Sequence, residues 1–249
     1  MARIGAVELT ETPRVAVGFD DKVTPKVIDE SIQQGLDIAE VRVDLFSLLE
    51  PAYVQQRIKA FSRLATIGTI RSQIEGGKWR GTEEQRLSLF RAITPFVDSL
   101  DIELSSDQIL SAVVSLCATQ RKTLIISHHD FDGTPSLSDL HRIVDRSKQT
   151  GADVVKVATM VKSDNDVRVL AELTTSRKSD NLVVIGMGSV GLITRLTFPA
   201  LGSLMTFAYI GEQTAPGQLH FQDLREDLRR YYPAYNQRLI NDLRLMECV

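Results

Sequence analysis

Short apolar runs alternate with amphipathic stretches along the whole chain. The apolar runs predict strands near 14–19, 37–43, 65–71, 97–103, 122–127, 153–158, 182–187 and 204–210. The amphipathic stretches predict helices near 24–34, 51–63, 83–95, 106–118, 137–150, 164–177, 189–198 and 219–231. Eight β-α units in this length favour a (β/α)₈ TIM barrel, an α/β fold. A doubly wound sheet often has a Gly-rich first turn, which does not follow Phe19.

Helix-start signals support these predicted elements. Thr24 precedes a first-turn proline, Thr82 is followed three residues later by Gln85, and Ser105-Ser106-Asp107 is expected to open the fourth helix. No long linker interrupts the series, so residues 1–249 are expected to form a single catalytic domain.

A short helical extension is predicted from about residue 233. It covers Tyr235 to Met246, and one face would carry Leu239, Ile240, Leu243 and Met246. We expect this face to pack on the barrel or on a second subunit.

The composition excludes several classes of protein. Of the 249 residues, 43% are hydrophobic and 24% are charged, and no apolar run is long enough to cross a membrane. A net charge of -3 without a basic cluster argues against a nucleic-acid partner. The first residues lack the apolar core of a secretory signal, so a cytoplasmic location is expected. Cys117 and Cys248 lack metal spacing and are expected to be free thiols.

Lys156 is the most informative single residue. It interrupts the apolar run Val154-Val155-Lys156-Val157-Ala158, which otherwise reads as a buried strand. Burial opposes the charged form of an amine and lowers its pKa, and a neutral amine is a nucleophile for carbonyl carbon. The alternative is a lysine at a strand end whose ammonium reaches solvent or a carboxylate.

Charged residues also occupy one face of the second predicted strand. A period of two places Glu40, Arg42 and Asp44 together, opposite Ala39, Val41 and Val43. In a barrel the charged face points into the lumen near the carboxyl ends of the strands, where active sites of this fold lie. A solvated edge strand is the alternative.

The other strand ends are polar as well. Arg71 ends the third strand, with Glu75 shortly after it, and His128-His129 ends the fifth. Neighbouring strand residues face opposite ways, so the two histidines are not expected to share a metal ion. One of them facing a buried lysine suits acid-base chemistry.

Two later segments carry weaker signals. Gly186-Met187-Gly188-Ser189-Val190-Gly191 leads into a helix and is either an anion cradle or a structural turn. The segment Gln213 to Gln218 has the composition of an adjustable flap or a plain turn.

Taken in order, these motifs resemble the type I 3-dehydroquinate dehydratase family. They are Glu40-Val41-Arg42, Thr69-Ile70-Arg71-Ser72 with Glu75-Gly76-Gly77, Ser127-His128-His129-Asp130-Phe131, Val155-Lys156-Val157-Ala158, Met187-Gly188-Ser189-Val190-Gly191 with Thr194-Arg195, and Ala215-Pro216-Gly217-Gln218. The resemblance covers nearly the whole chain.

The resemblance implies a dehydration of 3-dehydroquinate to 3-dehydroshikimate in the shikimate pathway, without cofactor or metal. Lys156 would form a Schiff base with the substrate ketone, His129 would move protons, and Glu75 would orient His129. Substrate contacts are implied for Glu40, Arg42, Arg71, Met187, Arg195, Phe207, Thr214 and Gln218. A homodimer is the expectation from the family.

Two positions depart from the family pattern. Thr214 stands where a serine is usual, and its hydroxyl can make the same bond. Gly18 stands where a serine often contacts substrate, so a water or a neighbouring residue would have to substitute.

Two rival functions remain open on the sequence. Another Schiff-base barrel, such as a class I aldolase, would need the same lysine but usually a phosphate site. A non-catalytic binding protein on a degenerate barrel is disfavoured, because both the lysine and the histidine are present.

Overall fold

Parallel strands form the wall of a barrel, as the sequence predicted. The computed structural model describes residues 2–10 and 12–247, with side chains as far as Asp242. The wall consists of β3 (Arg14–Phe19), β4 (Ile38–Arg42), β5 (Ala65–Thr69), β6 (Ser99–Glu103), β7 (Thr123–Asp130), β8 (Val154–Met160), β9 (Leu182–Met187) and β10 (Met205–Tyr209). Parallel ladders join β10 to β3 and then each strand to the next as far as β9. Between β9 and β10 the Leu204 N–H donates to the Leu182 carbonyl at 2.8 Å.

Short strands that the sequence pattern did not indicate flank this wall. An N-terminal hairpin of β1 (Arg3–Ile4) and β2 (Val7–Glu8) precedes β3, and β11 (Leu219–His220) pairs with the end of β10. Ile4 and Leu9 pack inside the barrel with Ala16, Ile38 and Ala65. These apolar side chains fill the end of the lumen from which the strands start.

Helices cover the outside of the barrel. They are α1 (Pro25–Gln33), α2 (Pro51–Ile58), α3 (Glu83–Ile93), α4 (Leu110–Gln120), α5 (Leu137–Thr150), α6 (Asp164–Ser176), α7 (Gly188–Gly191), α8 (Thr194–Leu201), α9 (Phe221–Tyr231) and α10 (Pro233–Glu247). Side chains such as Val41, Leu100 and Val157 point outward from the strands into the core beneath these helices.

Two of the three predicted helix starts are confirmed. The Thr24 side chain accepts a hydrogen bond from the Val27 N–H, and Thr82 forms a capping box with Gln85. The third prediction was wrong, because α4 begins at Leu110 rather than near residue 106. The Ser106 hydroxyl donates instead to the buried Glu103 carboxylate at 2.8 Å.

The C-terminal helix packs on the chain's own barrel. Tyr235 and Leu239 are buried, and Leu239 fills the space where a Cβ at Gly35 would lie. Arg238 donates to both oxygens of Asp37, at 2.6 and 3.2 Å. The side chains of Leu243 and Met246, which were expected to share the buried face, lie outside the described residues.

The structure bears on two predictions that were made from the composition. Within the described part of the chain, none of the helices combines the length and apolar character needed to span a membrane. Cys117 is a buried free cysteine on α4, and burial raises the pKa of its thiol to about 12. Cys248 lies outside the described residues.

Candidate active site

A cavity opens at the carboxyl ends of the strands. All eleven residues that the sequence analysis assigned to the site line it: Glu40, Arg42, Arg71, Glu75, His129, Lys156, Met187, Arg195, Phe207, Thr214 and Gln218. Six of them lie on strands and face the lumen because every second residue of a barrel strand does so: Glu40, Arg42, His129, Lys156, Met187 and Phe207. The other five follow the carboxyl ends of the strands or lie on α8. Glu40 and Arg42 therefore do not belong to a solvated edge strand.

Lys156 lies at the floor of this cavity and is 5% exposed. Its Nζ is 3.1 Å from Asp101 Oδ2 and 3.4 Å from Glu40 Oε1. It also lies 4.3 Å from the centre of the Phe207 ring. The sequence of β8 indicated only burial, whereas the fold adds two carboxylates within salt-bridge distance of the amine.

Two acidic residues that the sequence analysis did not single out, Asp101 and Glu103, lie on β6 and hold Arg71. Arg71 Nη2 donates to Asp101 at 2.7 Å, and Nη1 donates to Glu103 at 2.9 Å and to Ser127 at 2.7 Å. Burial would raise the pKa of Asp101, but Arg71 and then Lys156 outweigh it and lower that pKa. Asp101 is therefore a carboxylate that joins the two cations.

The sequence contains a pattern that would have indicated Asp101 and Glu103 as lumen-facing residues. Ser99, Asp101 and Glu103 alternate with Leu100 and Ile102, which is the pattern already recognised on β4. The same period-two argument would have placed both acids in the lumen.

His129 is held at the cavity by Glu75. Its Nδ1 lies 2.9 Å from Glu75 Oε2, and the same oxygen accepts the His129 backbone N–H at 2.8 Å. Burial, then Arg71 and Lys156, lower the pKa of His129 well below its ordinary value, so the imidazole is neutral at neutral pH. Burial raises the pKa of Glu75 to about 7. Because Glu75 binds Nδ1 of this neutral imidazole, Nε2 is the nitrogen available for proton transfer in the cavity.

His128 is not among the residues that line the cavity. It precedes His129 on β7 and therefore points to the other face of the sheet. Burial lowers its pKa as well. Across residues 2–10 and 12–247 no group of three or more His, Cys, Asp or Glu side chains is arranged to hold a metal ion.

One wall of the cavity is formed by β4. Glu40 accepts a hydrogen bond from the Thr69 hydroxyl at 3.0 Å. Arg42 makes a two-point contact with Asp44, at 2.9 and 2.8 Å, and Asp44 also accepts the Lys78 N–H at 3.1 Å. Burial opposes the charge of Arg42, but Asp44 raises its pKa. The wall therefore presents one carboxylate and one fixed guanidinium.

Arg195 faces the cavity from α8 and is 2% exposed. Its guanidinium donates to backbone carbonyls, at 2.6 Å to Gly217, 3.1 Å to Phe207 and 3.3 Å to Pro216. Burial lowers its pKa to about 10, so it remains charged at neutral pH. Among the described side chains no carboxylate lies within salt-bridge distance of it, which is typical of a cation that awaits an anionic ligand.

The segment 213–218 closes over the cavity. Gln218 Oε1 accepts the backbone N–H groups of Thr214 at 2.8 Å and Ala215 at 3.2 Å. A Cβ built on Gly18 would lie 3.2 Å from Thr214 Oγ1. The threonine hydroxyl therefore reaches the space beside Gly18 where the family often has a serine side chain.

The glycines near residue 188 allow close contacts between backbone segments. The Gly188 N–H donates to the Pro216 carbonyl at 3.3 Å, and a Cβ on Gly191 would lie 2.5 Å from the Gly186 carbonyl carbon. Gly217 has φ of +72°, and a Cβ there would meet the Gly188 carbonyl oxygen at 2.4 Å. Of the two interpretations of this turn, close packing against the 213–218 segment is therefore favoured over an anion cradle.

Comparison with known proteins agrees with this geometry. The sequence matches the family described as Type I 3-dehydroquinase over residues 17–233. A 3-dehydroquinate dehydratase from Methanococcoides burtonii is 36% identical over 230 residues, which cover 91% of this chain and 97% of that protein.

Solved structures give the same result. The 3-dehydroquinate dehydratase of Geobacillus kaustophilus HTA426 superimposes with a TM-score of 0.80 and 30% identity, covering 88% of this chain and 92% of that one. The type I 3-dehydroquinate dehydratase of Clostridium difficile, whose structure contains covalently modified comenic acid, has a TM-score of 0.83 and 28% identity, covering 94% and 98%. The chain belongs to the type I 3-dehydroquinase family.

Proposed function

We propose that this protein is a 3-dehydroquinate dehydratase that works through a Schiff base on Lys156. The observation that carries the proposal is the shared cavity of a buried lysine and a neutral histidine held by Glu75. An amine and a base side by side are what an imine-forming elimination requires. The family and its named relatives supply the substrate and the overall reaction.

Each step can be assigned to a side chain of the cavity. The Lys156 ammonium passes a proton to His129, the free amine adds to the substrate ketone, and the adduct takes that proton back and loses water, which leaves a protonated imine. That cation withdraws electrons from the neighbouring carbon, so His129 Nε2 can remove its proton and form an enamine. The enamine expels the ring hydroxyl, which leaves as water after taking the proton back from His129. Hydrolysis of the imine then releases 3-dehydroshikimate and restores Lys156.

Other residues of the cavity hold the substrate. Arg195 is the proposed partner of the carboxylate, because its buried charge has only carbonyl partners in the described structure. Thr214 and Gln218 line the same cavity and are proposed to bind hydroxyl groups. Arg71 is proposed to contact substrate as well, although Asp101 and Glu103 already occupy its guanidinium.

The remaining substrate contacts form the other walls of the cavity. Glu40 and Arg42 are proposed for the β4 side, and Met187 and Phe207 supply the apolar surface.

The aldolase alternative is less well supported by this site. Aldolases of this type usually bind a phosphate, and the Gly188 N–H that such a site would use is bonded to the Pro216 carbonyl. Arg195 is a single cation suited to a carboxylate. No turnover of phosphorylated aldol substrates is therefore expected.

The test is turnover of 3-dehydroquinate, followed by the ultraviolet absorbance of the conjugated product. The protein should convert it, and Lys156→Ala should reduce the rate below detection while the variant remains folded by circular dichroism. Lys162→Ala removes an exposed lysine that follows the same strand and should retain full activity. Conversion by a folded Lys156→Ala variant would contradict the covalent mechanism.

We also propose the organisation that the family resemblance implies. Residues 1–249 would form one catalytic domain that acts in the cytoplasm as a homodimer, with no nucleic-acid partner and no cofactor. Light scattering of the purified protein would give the subunit number, and a mass of about one chain of 27.7 kDa would contradict the dimer.

A further inference from the structure

The two carboxylate oxygens of Glu75 have different partners. Within the described residues, Oε2 accepts only from His129, through the backbone N–H and Nδ1. Oε1 accepts a hydrogen bond from the Ser105 hydroxyl at 2.5 Å. Ser105 follows β6, Glu75 follows β5 and His129 lies on β7, so three neighbouring strands meet at this carboxylate.

We propose that Ser105 is a positioning residue that keeps Glu75 ionised and aimed at His129, and so sets the lower pH limit of activity. The proposal rests on the proposed function, in which His129 is the base. Ser105 was expected to belong to the start of α4, but α4 begins five residues later, at Leu110. Its hydroxyl is therefore free to serve Glu75.

The charge on Glu75 decides which nitrogen of His129 carries the proton. An ionised carboxylate can only accept, so it fixes the hydrogen on Nδ1 and leaves the Nε2 lone pair for the substrate. A protonated Glu75 can donate to Nδ1, which moves the ring hydrogen to Nε2 and removes the base. Activity is therefore expected to fall as Glu75 takes up a proton.

Ser105 opposes that protonation. Burial is the largest influence on Glu75 and raises its pKa, while the Ser105 hydrogen bond is the next and lowers it. Arg71 also lowers this pKa and Glu103 raises it, and the His129 N–H favours the ionised form. Besides Glu75, the charged groups that act on His129 are Arg71, Lys156, Asp101 and Arg42. Removing the Ser105 hydroxyl leaves all of these in place and should raise the pKa of Glu75.

The experiment is the pH dependence of kcat for the wild type and three variants. Ser105→Ala removes the hydroxyl, Ser105→Thr keeps it, and Ser115→Ala is the control. Ser115 is an exposed serine of α4 whose hydroxyl donates to the Ser111 carbonyl of its own helix. A hydrogen bond of ordinary strength corresponds to a shift of about 0.5 to 1 pH unit.

In Ser105→Ala the acid limb should move to higher pH by that amount, since the group that must stay ionised has become easier to protonate. On the acid limb kcat should be about 3- to 10-fold below wild type, and it should approach the wild-type value on the alkaline side. Ser105→Thr and Ser115→Ala should superimpose on the wild type.

Two results would overturn the proposal. One is a Ser105→Ala profile identical to the wild type, and the other is a uniform loss of kcat at every pH without movement of the limb. Neither would affect the proposed function, which is tested separately by turnover of 3-dehydroquinate in the wild type and in Lys156→Ala.

Discussion

At the scale of single residues, Lys156 belongs to a chain of alternating charges that runs through the barrel. Its amine contacts Asp101, which contacts Arg71, which contacts Glu103, which contacts Arg86. Each of these five side chains is buried, and each has a partner of opposite charge. Pairing is what makes burial of so many ions tolerable, because removing one partner leaves an uncompensated charge in the interior.

The sequence revealed the reacting residues better than the residues that hold them. Lys156 and His129 stand out because they break an apolar pattern or end a strand. Arg86 lies on an amphipathic helix, where an arginine is ordinarily exposed, and nothing in its own segment indicates that it is 0% exposed. Its burial follows from the position of Glu103 on β6, which only the fold brings next to it.

The neighbouring histidines give a sharp test at this scale. His129→Ala should lower kcat by about 10²- to 10⁴-fold, because it removes the proposed proton carrier. His128→Ala is the matched control, since this histidine does not line the cavity, and its kcat should stay within about threefold of the wild type. Steady-state kinetics of both variants would show which histidine acts in the reaction. A larger loss of kcat in His128→Ala than in His129→Ala would mean that His128, and not His129, faces the cavity.

At the scale of secondary-structure elements, α3 is fastened to β6 by Arg86. Its Nη2 donates to Ser106 Oγ at 2.8 Å and contacts Glu103 Oε2, and Nη1 lies 3.2 Å from Glu83. Glu103 also accepts from Arg71 and the Ser72 N–H, so one carboxylate joins α3, β5 and β6.

Replacing this arginine should therefore weaken the barrel. Arg86→Leu should lower the free energy of unfolding by about 3 kcal/mol, since it leaves a buried carboxylate short of one cation. Arg91→Leu, at an exposed position of the same helix, should change it by less than about 0.5 kcal/mol. Urea denaturation of both variants is the measurement, and equal midpoints would show that the buried contact adds nothing.

The periodicity of the sequence predicted the long strands and helices but not the shortest secondary-structure elements. Each barrel strand was expected at its observed position within a few residues, because period and apolar character mark strands and helices of this length. The predicted helix at 189–198 is instead two pieces, α7 and α8, separated at Leu192 and Ile193. The two-residue strands β1, β2 and β11 are too short to show a period at all.

At the scale of the whole molecule, the two ends of the barrel have different tasks. The reacting groups lie at the carboxyl ends of the strands, whereas Asp37 lies just before β4 at the opposite end. There Asp37 binds Arg238 of α10 and Arg14 of β3. Function is expected to tolerate changes at this end that stability does not.

Arg238→Ala tests that separation. It should lower the free energy of unfolding by about 1 to 2 kcal/mol, because a two-point contact with a buried carboxylate is lost. The kcat and KM for 3-dehydroquinate should not change. Arg230→Ala, which removes an exposed arginine of α9, should alter neither stability nor activity. Loss of activity in Arg238→Ala at a temperature where it remains folded would show that the two ends are coupled.

The most direct measurement is borohydride reduction of the protein in the presence of 3-dehydroquinate, followed by intact mass and peptide mapping. Reduction converts an imine to a stable amine, so it fixes the ligand to whichever residue formed the bond. The prediction is one ligand-sized adduct per chain, located on Lys156. An unmodified protein that nevertheless converts the substrate, or an adduct on another lysine, would contradict it.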